Sequence, residues 1–148
     1  MEFKTILVPV DFSPHSARAL EVGRELARRF GSKLHLIHCY PINAGGISPF
    51  GLVIPEAFDR DIRAAADRHL SEWCHQAASD GIPVERTITP VSPSEAIAQV
   101  AEEIGADLIV MGTRGLAGVK HVMLGSVAER TVRLAPCPVL TVKVSDPK

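Results

Sequence analysis

A glycine-rich segment carries the residues whose types and spacing are best suited to chemistry. Residues 111–130 read MGTRGLAGVKHVMLGSVAER and contain Gly112, Gly115, Gly118 and Gly125. Glycines let backbone N–H groups converge on an anion, and the positive end of a following helix adds to the attraction. Ser126 can contribute a hydroxyl at that helix start. The segment therefore predicts either a phosphate-binding loop or a set of turn glycines in which Ser126 only caps a helix.

Three side chains of the same segment can pair with phosphate: Arg114, Lys120 and His121. Each is equally compatible with a solvated loop. The segment has neither the Gly-Lys-Ser/Thr sequence of a Walker A loop nor the GxGxxG pattern of dinucleotide-binding folds. Any nucleotide site formed here must therefore be of another kind.

The elements that would position this segment alternate along the chain. Short apolar runs rich in β-branched residues predict five strands, with helical patterns between them. The predicted strands are residues 3–10, 33–40, 83–90, 107–112 and 137–144. Strict alternation favours an α/β fold with βαβ crossovers and an open parallel sheet covered by helices on both faces. The glycine-rich segment then begins where the fourth strand ends.

Serines mark the starts of three predicted helices. Ser13 and Ser92 each precede a proline suited to the first helical position, and Glu95 completes a capping box with Ser92. Ser126 and Glu129 repeat the box pattern. These helix starts would lie at the carboxyl end of the sheet, where open α/β folds bind ligands.

The second predicted helix carries an apolar stripe that indicates a packed face. Its members are Phe58, Ile62, Ala66, Leu70, Trp73 and Ala77. Trp73 is accordingly interpreted as a core residue. Residues 41–55, which precede this helix, form the longest interruption, and a loop of that length is usually functional or mobile.

Composition limits the remaining classes of function. A chain of 148 residues with 46% apolar content predicts one domain, residues 1–148. A net charge of -1 gives no global attraction to nucleic acid or anionic lipid. The N-terminal residues do not resemble a signal peptide, and no apolar run approaches the ~20 residues of a membrane span. We therefore expect a cytoplasmic protein that binds no nucleic acid and inserts into no membrane.

The cysteines and most histidines are expected to be structural. Cys39, Cys74 and Cys137 are odd in number and widely spaced, which favours buried reduced thiols over a metal or redox site. The histidines outside the glycine-rich segment fall on predicted strands and helices; they are His15, His35, His38, His69 and His75. No residue is assigned as a metal ligand.

Gly112-x-x-Gly115, followed by nine residues and then Gly125-Ser126, resembles the G-2x-G-9x-G-[S/T] motif of ATP-binding universal stress proteins. The resemblance continues through ILVPVDFS near the start and APCPVLTVK near the end. It implies a Rossmann-like, three-layer fold with five parallel strands in the order 3-2-1-4-5. ATP, or ADP or AMP, would lie across the ends of strands one and four, accompanied by Mg²⁺ or Mn²⁺. Asp11 and Gly112 would face each other there.

The resemblance also assigns roles to individual residues. Pro9, Val10 and Asp11 would line the nucleoside pocket, and Cys39 would offer backbone groups to the adenine. Met111 and Gly112 would approach the ribose and α-phosphate. Gly115 and the Gly125–Ser126 turn would hold the phosphates, with Val127 following at the helix start. Arg114 and His121, whose identities the motif does not fix, remain candidate phosphate contacts.

Asp11 has two chemically reasonable roles. A carboxylate can accept a hydrogen bond from a ribose hydroxyl, but it repels phosphate unless Mg²⁺ intervenes. Alternatively, an acidic residue just ahead of Ser13 supports the start of the first helix through the helix dipole. Both roles remain open at this point.

Three functions are compatible with the sequence. The preferred one is an ATP-binding regulatory or stress-response protein that acts on an unidentified protein partner. The resemblance implies a homodimer through residues 137–144, although the sequence alone also permits a monomer with a covered strand edge. The alternative is a slow ATPase or nucleotidyl-transfer enzyme, in which Asp11 holds Mg²⁺ and His121 or Arg114 stabilises the transferred phosphate. The third is a chaperone-like dimer that does not use nucleotide. No residue can be named that must act as a catalytic base.

Overall fold

Strands and helices alternate through the computed structural model, which describes residues 1–40, 50–51, 53, 55–115 and 124–145. The elements are β1 (Thr5–Pro9), α1 (Pro14–Phe30), β2 (Lys33–Cys39), α2 (Glu56–Ala78), β3 (Val84–Thr89), α3 (Pro93–Glu103), β4 (Leu108–Gly112), α4 (Ser126–Leu134) and β5 (Val139–Val142). The five strands form one parallel sheet in the order β3-β2-β1-β4-β5. The predicted sheet and its strand order are therefore confirmed.

Alternate residues of the central strands face opposite helix layers. In β1, Ile6 and Val8 pack with residues of α1 and α2, whereas Leu7 packs with residues of α3 and α4. All three side chains are fully buried. Because strand side chains alternate between the two faces, a continuous apolar run indicates a strand covered on both sides. The helices therefore lie on both faces of the sheet, as predicted.

Each of the five strands is shorter than the sequence predicted, and in the two outer strands a proline stands immediately before the first residue of the strand. Pro83 and Pro138 lack a backbone N–H and cannot donate to the ladder. Their carbonyls still accept hydrogen bonds from Leu34 and Ile109, at 2.9 and 3.0 Å. Each proline thus extends the pairing by one acceptor without belonging to the strand.

The apolar stripe of α2 packs only along its C-terminal half. Leu70, Cys74 and Ala77 are buried, but Phe58 is 53% exposed, so its predicted place in a packed face is wrong. A helix of 23 residues is about 34 Å long, whereas the neighbouring strands span only about 20 Å. The first turns of α2 therefore extend past the sheet. Among the described helices, none is long and apolar enough to cross a membrane.

The predicted helix starts after Ser13 and Ser92 are confirmed, whereas the third, at Ser126, is wrong by one residue. Ser13 caps α1 as expected, since its hydroxyl accepts a hydrogen bond from the Ser16 N–H at 3.1 Å. Ser92 occupies the N-cap of α3, but its side chain makes no capping hydrogen bond. The N-cap of α4 is Gly125, not Ser126, which is the first helical residue. The predicted cap at Ser126 is therefore wrong, because the extended backbone at Gly125 places the serine inside the first turn.

A ring cluster fixes the chain just after β1. Phe12 has φ 64°, a left-handed conformation that is unfavourable for a bulky side chain. Its ring stacks on His69 of α2, with centroids 3.8 Å apart, and meets Trp73 edge to face at 5.3 Å. Trp73 also packs against the core, as predicted. The stack holds the residue next to Asp11 in a conformation that the backbone alone would not favour.

Candidate functional site

A cavity of about 650 Å³ opens at the carboxyl end of the sheet, between the ends of β1 and β4 and the starts of α3 and α4. Its volume lies in the range of small-molecule sites, about 300–1,000 Å³. The predicted site residues that line it are Pro9, Val10, Asp11, Cys39, Met111, Gly112, Arg114, Gly115, Gly125, Ser126 and Val127. His121 lies outside the described residues, as do Gly118 and Lys120. The chain thus brings together every predicted site residue whose position is described.

The three motif glycines are required for space and not for unusual backbone angles. The described glycines with positive φ are Gly31, Gly51, Gly81 and Gly105, which lie outside the motif. A Cβ on Gly112 would stand 2.9 Å from the Cβ of His15 in α1. A Cβ on Gly125 would stand 3.0 Å from the carbonyl oxygen of Thr113. A side chain at either position would therefore crowd its neighbour.

Gly115 makes the closest of these approaches, and its neighbour is Asp11. A Cβ on Gly115 would stand 2.6 Å from Oδ2 of Asp11. The atoms nearest to a Cβ on Gly112 belong to His15, because the first turn of α1 covers the end of β4. Gly112 accordingly has a structural role in helix packing as well as a place in the cavity wall.

Asp11 supports the start of α1 and also borders the cavity. Its Oδ1 accepts a hydrogen bond from the Ser13 N–H at 3.0 Å, which supports the start of α1. Its Oδ2 is the atom beside Gly115, on the cavity side. One carboxylate can therefore stabilise the helix start through one oxygen and border the cavity with the other.

Arg114 and Thr113 lie in the wall between Gly112 and Gly115. Arg114 is only 9% exposed, so the alternative of a solvated loop residue is wrong for this side chain. The Thr113 N–H donates to the carbonyl of Val142 in β5 at 3.2 Å, and its carbonyl accepts from the Gly125 N–H at 2.6 Å. Thr113 therefore joins the last strand of the sheet to the turn that begins α4.

The start of α4 presents backbone donors to the cavity. Gly125, Ser126 and Val127 line the cavity, and the first hydrogen bond within the helix runs from the Glu129 N–H to the Gly125 carbonyl at 2.9 Å. The N–H groups ahead of Glu129 have no carbonyl partner within the helix and carry the positive end of its dipole. Ser126, exposed at the first helical position, adds a hydroxyl. This end of the cavity is suited to an anion.

The opposite wall is apolar and includes Cys39. Ile37, Pro93 and Ile97 line the cavity beside it. Burial raises the pKa of the Cys39 thiol to about 11, so the side chain is neutral at physiological pH. Ile37 accepts from the Val10 N–H through its carbonyl, on the β1 side of the strand. Because strand backbone groups alternate in direction, the N–H and carbonyl of Cys39 point to that same side, beyond the end of β1.

The three cysteines are free thiols, as predicted, but they are not all buried. Cys74 is buried, whereas Cys39 and Cys137 are half-buried. Burial raises the pKa of the thiols of Cys74 and Cys137 as well. Within the described part of the chain, no three His, Cys, Asp or Glu side chains are grouped so that they could hold a metal ion.

The sequence analysis missed several residues of the cavity wall. These are Ser16, Ile37, Pro93, Ile97, Thr113, Leu124, Ala128 and Glu129. Most come from helix starts and strand ends whose side chains carry no distinctive chemistry. Thr113 is the exception, since its position between Gly112 and Gly115 was a signal that could have been used.

Comparison with known proteins identifies the family of this chain. Residues 2–143 match the universal stress protein family. A universal stress protein of Thermus aquaticus is 38% identical over 143 residues, which cover 95% of this chain and 99% of that protein. The universal stress protein YxiE of Bacillus subtilis is 33% identical over 149 residues, covering 95% of this chain and 99% of that protein.

Solved structures show the same architecture. The protein MJ0577 superposes with a TM-score of 0.86 at 26% identity, covering 99% of this chain and all of that one (100%). A universal stress protein from Archaeoglobus fulgidus in complex with dAMP has a TM-score of 0.68 at 25% identity, with 95% and 98% covered. A further universal stress protein, in complex with cAMP, has a TM-score of 0.64 at 26% identity, covering 98% of this chain and 100% of that one. This chain belongs to the universal stress protein family.

Proposed function

We propose that this chain binds an adenine nucleotide, with ATP as the principal ligand and ADP or AMP as the alternatives, in the cavity between β1 and β4. Occupancy of the cavity would then regulate an interaction with a protein partner. The proposal rests on the proteins of the same family that are in complex with dAMP and cAMP, and on the fit between this cavity and such a ligand. Mg²⁺ or Mn²⁺ would enter with the phosphates.

The observation that carries the proposal is the space kept open by two glycines beside the start of α4. Side chains at Gly115 and Gly125 would fill the wall next to Asp11 and Thr113, where the first N–H groups of α4 face the cavity. A phosphate chain needs that combination of close backbone approach and unpaired donors. Arg114, buried in the same wall, adds positive charge nearby.

The other end of the cavity is suited to a purine base. Ile37 and Ile97 supply apolar surface, while the backbone of Cys39 offers a donor and an acceptor along the strand edge. A flat, polar-edged ring needs such surface with only a few polar groups. Between the two ends, Oδ2 of Asp11 would accept a hydrogen bond from a ribose hydroxyl.

The carboxylates of the described cavity wall favour a regulatory role over a catalytic one, because each is already engaged in a structural contact. Asp11 supports the α1 start through Oδ1, and Glu129 pairs with Arg133 at 2.7 Å. Each carboxylate therefore already has a structural partner. Hydrolysis needs a group that positions the attacking water in line with the leaving phosphate. We assign that task to no residue of the wall.

We further propose a homodimer through residues 137–144. The strand within this range, β5, is an edge of the sheet, and Leu140 on it is 40% exposed. Val132 and Leu134, at the C-terminal end of α4, are 49% and 46% exposed. An exposed strand edge beside apolar side chains favours pairing with a second copy. Thr113 links β5 to the Gly125 turn through backbone hydrogen bonds, so a movement of the turn on nucleotide binding would be transmitted to this surface.

Identification of the resident ligand tests the proposal. The protein would be purified without nucleotide, denatured, and its released small molecules identified by mass spectrometry, with a thermal shift measured on adding ATP. We expect an adenine nucleotide in the released fraction, or a rise in Tm with ATP. The chaperone-like alternative predicts neither result. Single-turnover assays with labelled ATP would favour the enzymatic alternative if they revealed phosphate release far above the solution rate.

A further inference from the structure

The residues on both sides of Asp11 are held by histidines that lie outside the cavity lining. His38, near the end of β2, donates a hydrogen bond from Nδ1 to the carbonyl oxygen of Val10 at 2.8 Å. The Nδ1 atom carries the proton, because a carbonyl oxygen can only accept. His69 of α2 stacks on the ring of Phe12, with centroids 3.8 Å apart and an interplanar angle of 17°. The chain is therefore fixed immediately before and immediately after Asp11.

Phe12 keeps a backbone conformation that its own side chain disfavours. Among the described residues it is the one non-glycine with a positive φ, 64°, whereas the others are Gly31, Gly51, Gly81 and Gly105. A Cβ makes such angles costly, so they persist where surrounding contacts impose them. Besides His69, the Phe12 ring contacts His38 at 4.4 Å and Trp73 at 5.3 Å between centroids. These ring contacts maintain the left-handed turn.

The turn at Phe12 in its own right orients the Asp11 carboxylate. It brings the Ser13 N–H back to Oδ1 of Asp11, at 3.0 Å. With Oδ1 in that hydrogen bond, Oδ2 is the oxygen beside Gly115, and Asp11 and Gly115 both line the cavity. If Phe12 relaxed to a negative φ, the Ser13 N–H would move away from Oδ1 and the carboxylate would turn. The position of Oδ2 therefore depends on the rings that hold Phe12.

We propose that His69 is a positioning residue for nucleotide binding. Its ring, acting through Phe12, holds Oδ2 of Asp11 where that oxygen accepts a hydrogen bond from a ribose hydroxyl. This inference rests on the proposed nucleotide-binding function and adds to it a residue of α2, a helix that supplies no residue to the cavity lining. His69 itself touches no ligand.

A stack that only stabilises the fold is the alternative, and the exposure of His69 allows the two roles to be separated. Trp73 packs against the core, so its truncation would lower stability as well. His69 is exposed, so its truncation leaves no cavity in the core. His75 is exposed on the same helix and lies outside the cluster of Phe12, His38, His69 and Trp73, which makes it a matched control.

The test removes the His69 ring and compares two nucleotides that differ only in their ribose hydroxyls, ATP and 2′,3′-dideoxy-ATP. His69→Ala and His69→Gln remove the stacked ring, His69→Phe retains an aromatic ring, and His75→Ala is the control. Calorimetry gives the dissociation constants. The fluorescence of Trp73, the only tryptophan of the chain, follows urea unfolding. Asp11→Ala, alone and combined with His69→Ala, completes a double-mutant cycle.

We expect His69→Ala and His69→Gln to weaken ATP binding about fivefold. Binding of 2′,3′-dideoxy-ATP should change by less than about twofold, because that ribose has no hydroxyl for Oδ2 to accept from. His69→Phe and His75→Ala should bind both nucleotides within about twofold of the wild type. In the Asp11→Ala background, His69→Ala should cause no further loss of ATP affinity, because the group that it positions is absent.

Several results would overturn the inference while the proposed function stands. One is ATP binding by both ring-free variants within about twofold of the wild type. Others are equal weakening of the two nucleotides, a loss in His69→Phe as large as in His69→Ala, and a full loss that persists in the Asp11→Ala background. If the wild type binds no adenine nucleotide at all, the proposed function is wrong and this inference is wrong with it.

Discussion

Asp11 and Gly115 meet at the point where the strand order reverses, so closely that a Cβ on Gly115 would stand 2.6 Å from Oδ2 of Asp11. Asp11 follows β1 and Gly115 follows β4, the two neighbouring strands whose connections run to opposite sides of the sheet. Ligands bind at such switch points in open α/β sheets. The pair therefore joins the nucleoside and phosphate parts of the proposed site.

Gly115→Ala should weaken ATP binding with little loss of stability. The added methyl group meets the end of a carboxylate, which can turn away, so the fold survives while Asp11 leaves its position. Calorimetry would measure the affinity, and urea unfolding the stability. We expect an increase in Kd of about tenfold or more.

The cause of that loss can be isolated with a second substitution. In an Asp11→Ala background the clash is absent, so Gly115→Ala should weaken ATP binding by less than it does in the wild type. Additive losses would show that Asp11 does not mediate the effect. Gly112→Ala is the structural comparison, since its methyl group meets the backbone of His15 and should lower the free energy of unfolding.

Bound ATP should protect Cys39 from alkylation. Cys39 lines the cavity, and its thiol, whose pKa is raised to about 11, reacts slowly with iodoacetamide near neutral pH. At ATP concentrations about ten times the Kd, the rate should fall about tenfold, because only the unliganded protein reacts. Peptide mass spectrometry reads each cysteine separately. Cys137, half-buried and outside the cavity lining, should react at the same rate with and without ATP.

Leu140→Lys should convert the proposed dimer to a monomer. A lysine on an exposed strand edge opposes pairing with a second copy, because its charge would be buried in the interface. Light scattering after size exclusion gives the mass directly. Val91→Lys is the matched control, since Val91 is 44% exposed but lies beyond β3 at the other side of the sheet. A wild-type monomer, or a dimer that persists in Leu140→Lys, would refute the predicted interface.

Stability should fall as the pH drops below about 6.5, with His35 as one contributor. Burial lowers the pKa of His35 despite the opposing effect of Glu85, so the native state holds the ring neutral while the unfolded chain takes up a proton. The contribution of His35 to the free energy of unfolding is complete above the pKa of the unfolded chain. It is lost as the pH falls towards the lower pKa of the native state. One pKa unit corresponds to about 1.4 kcal/mol.

His35→Gln provides the comparison for this effect. Glutamine does not titrate, and it can keep a hydrogen bond to Thr87, whose Oγ1 lies 2.7 Å from Nε2 of His35. The fall in urea midpoint from pH 7.5 to pH 5.5 should therefore be smaller in the variant than in the wild type. Equal falls would mean that other groups account for the pH dependence.

Periodicity allowed the parallel sheet to be predicted, whereas its strand order and most of the described cavity wall were implied by the resemblance to universal stress proteins. The N-cap of α4 could not be predicted, since Gly125 and Ser126 are both acceptable caps and the hydrogen bond to Thr113 decides between them. No pattern in the sequence indicated the left-handed backbone at Phe12, because this conformation depends on stacking with His69, a residue far away in the chain.

The exposed start of α2 shows a second limit of sequence reasoning. Phe58 continues the apolar spacing of Leu70 and Ala77, yet the sheet does not extend far enough to cover it. Periodicity reports which residues share a helix face, but the length of the partner surface decides which of them are buried.

Calorimetric titration of the wild-type protein with ATP in the presence of Mg²⁺ tests the central claim most directly. The account predicts saturable binding of one ATP per chain with a Kd in the micromolar range or below, about −8 kcal/mol or better, weakened in Gly115→Ala. Absence of saturable binding of ATP, ADP and AMP up to about 1 mM in a folded sample would contradict it.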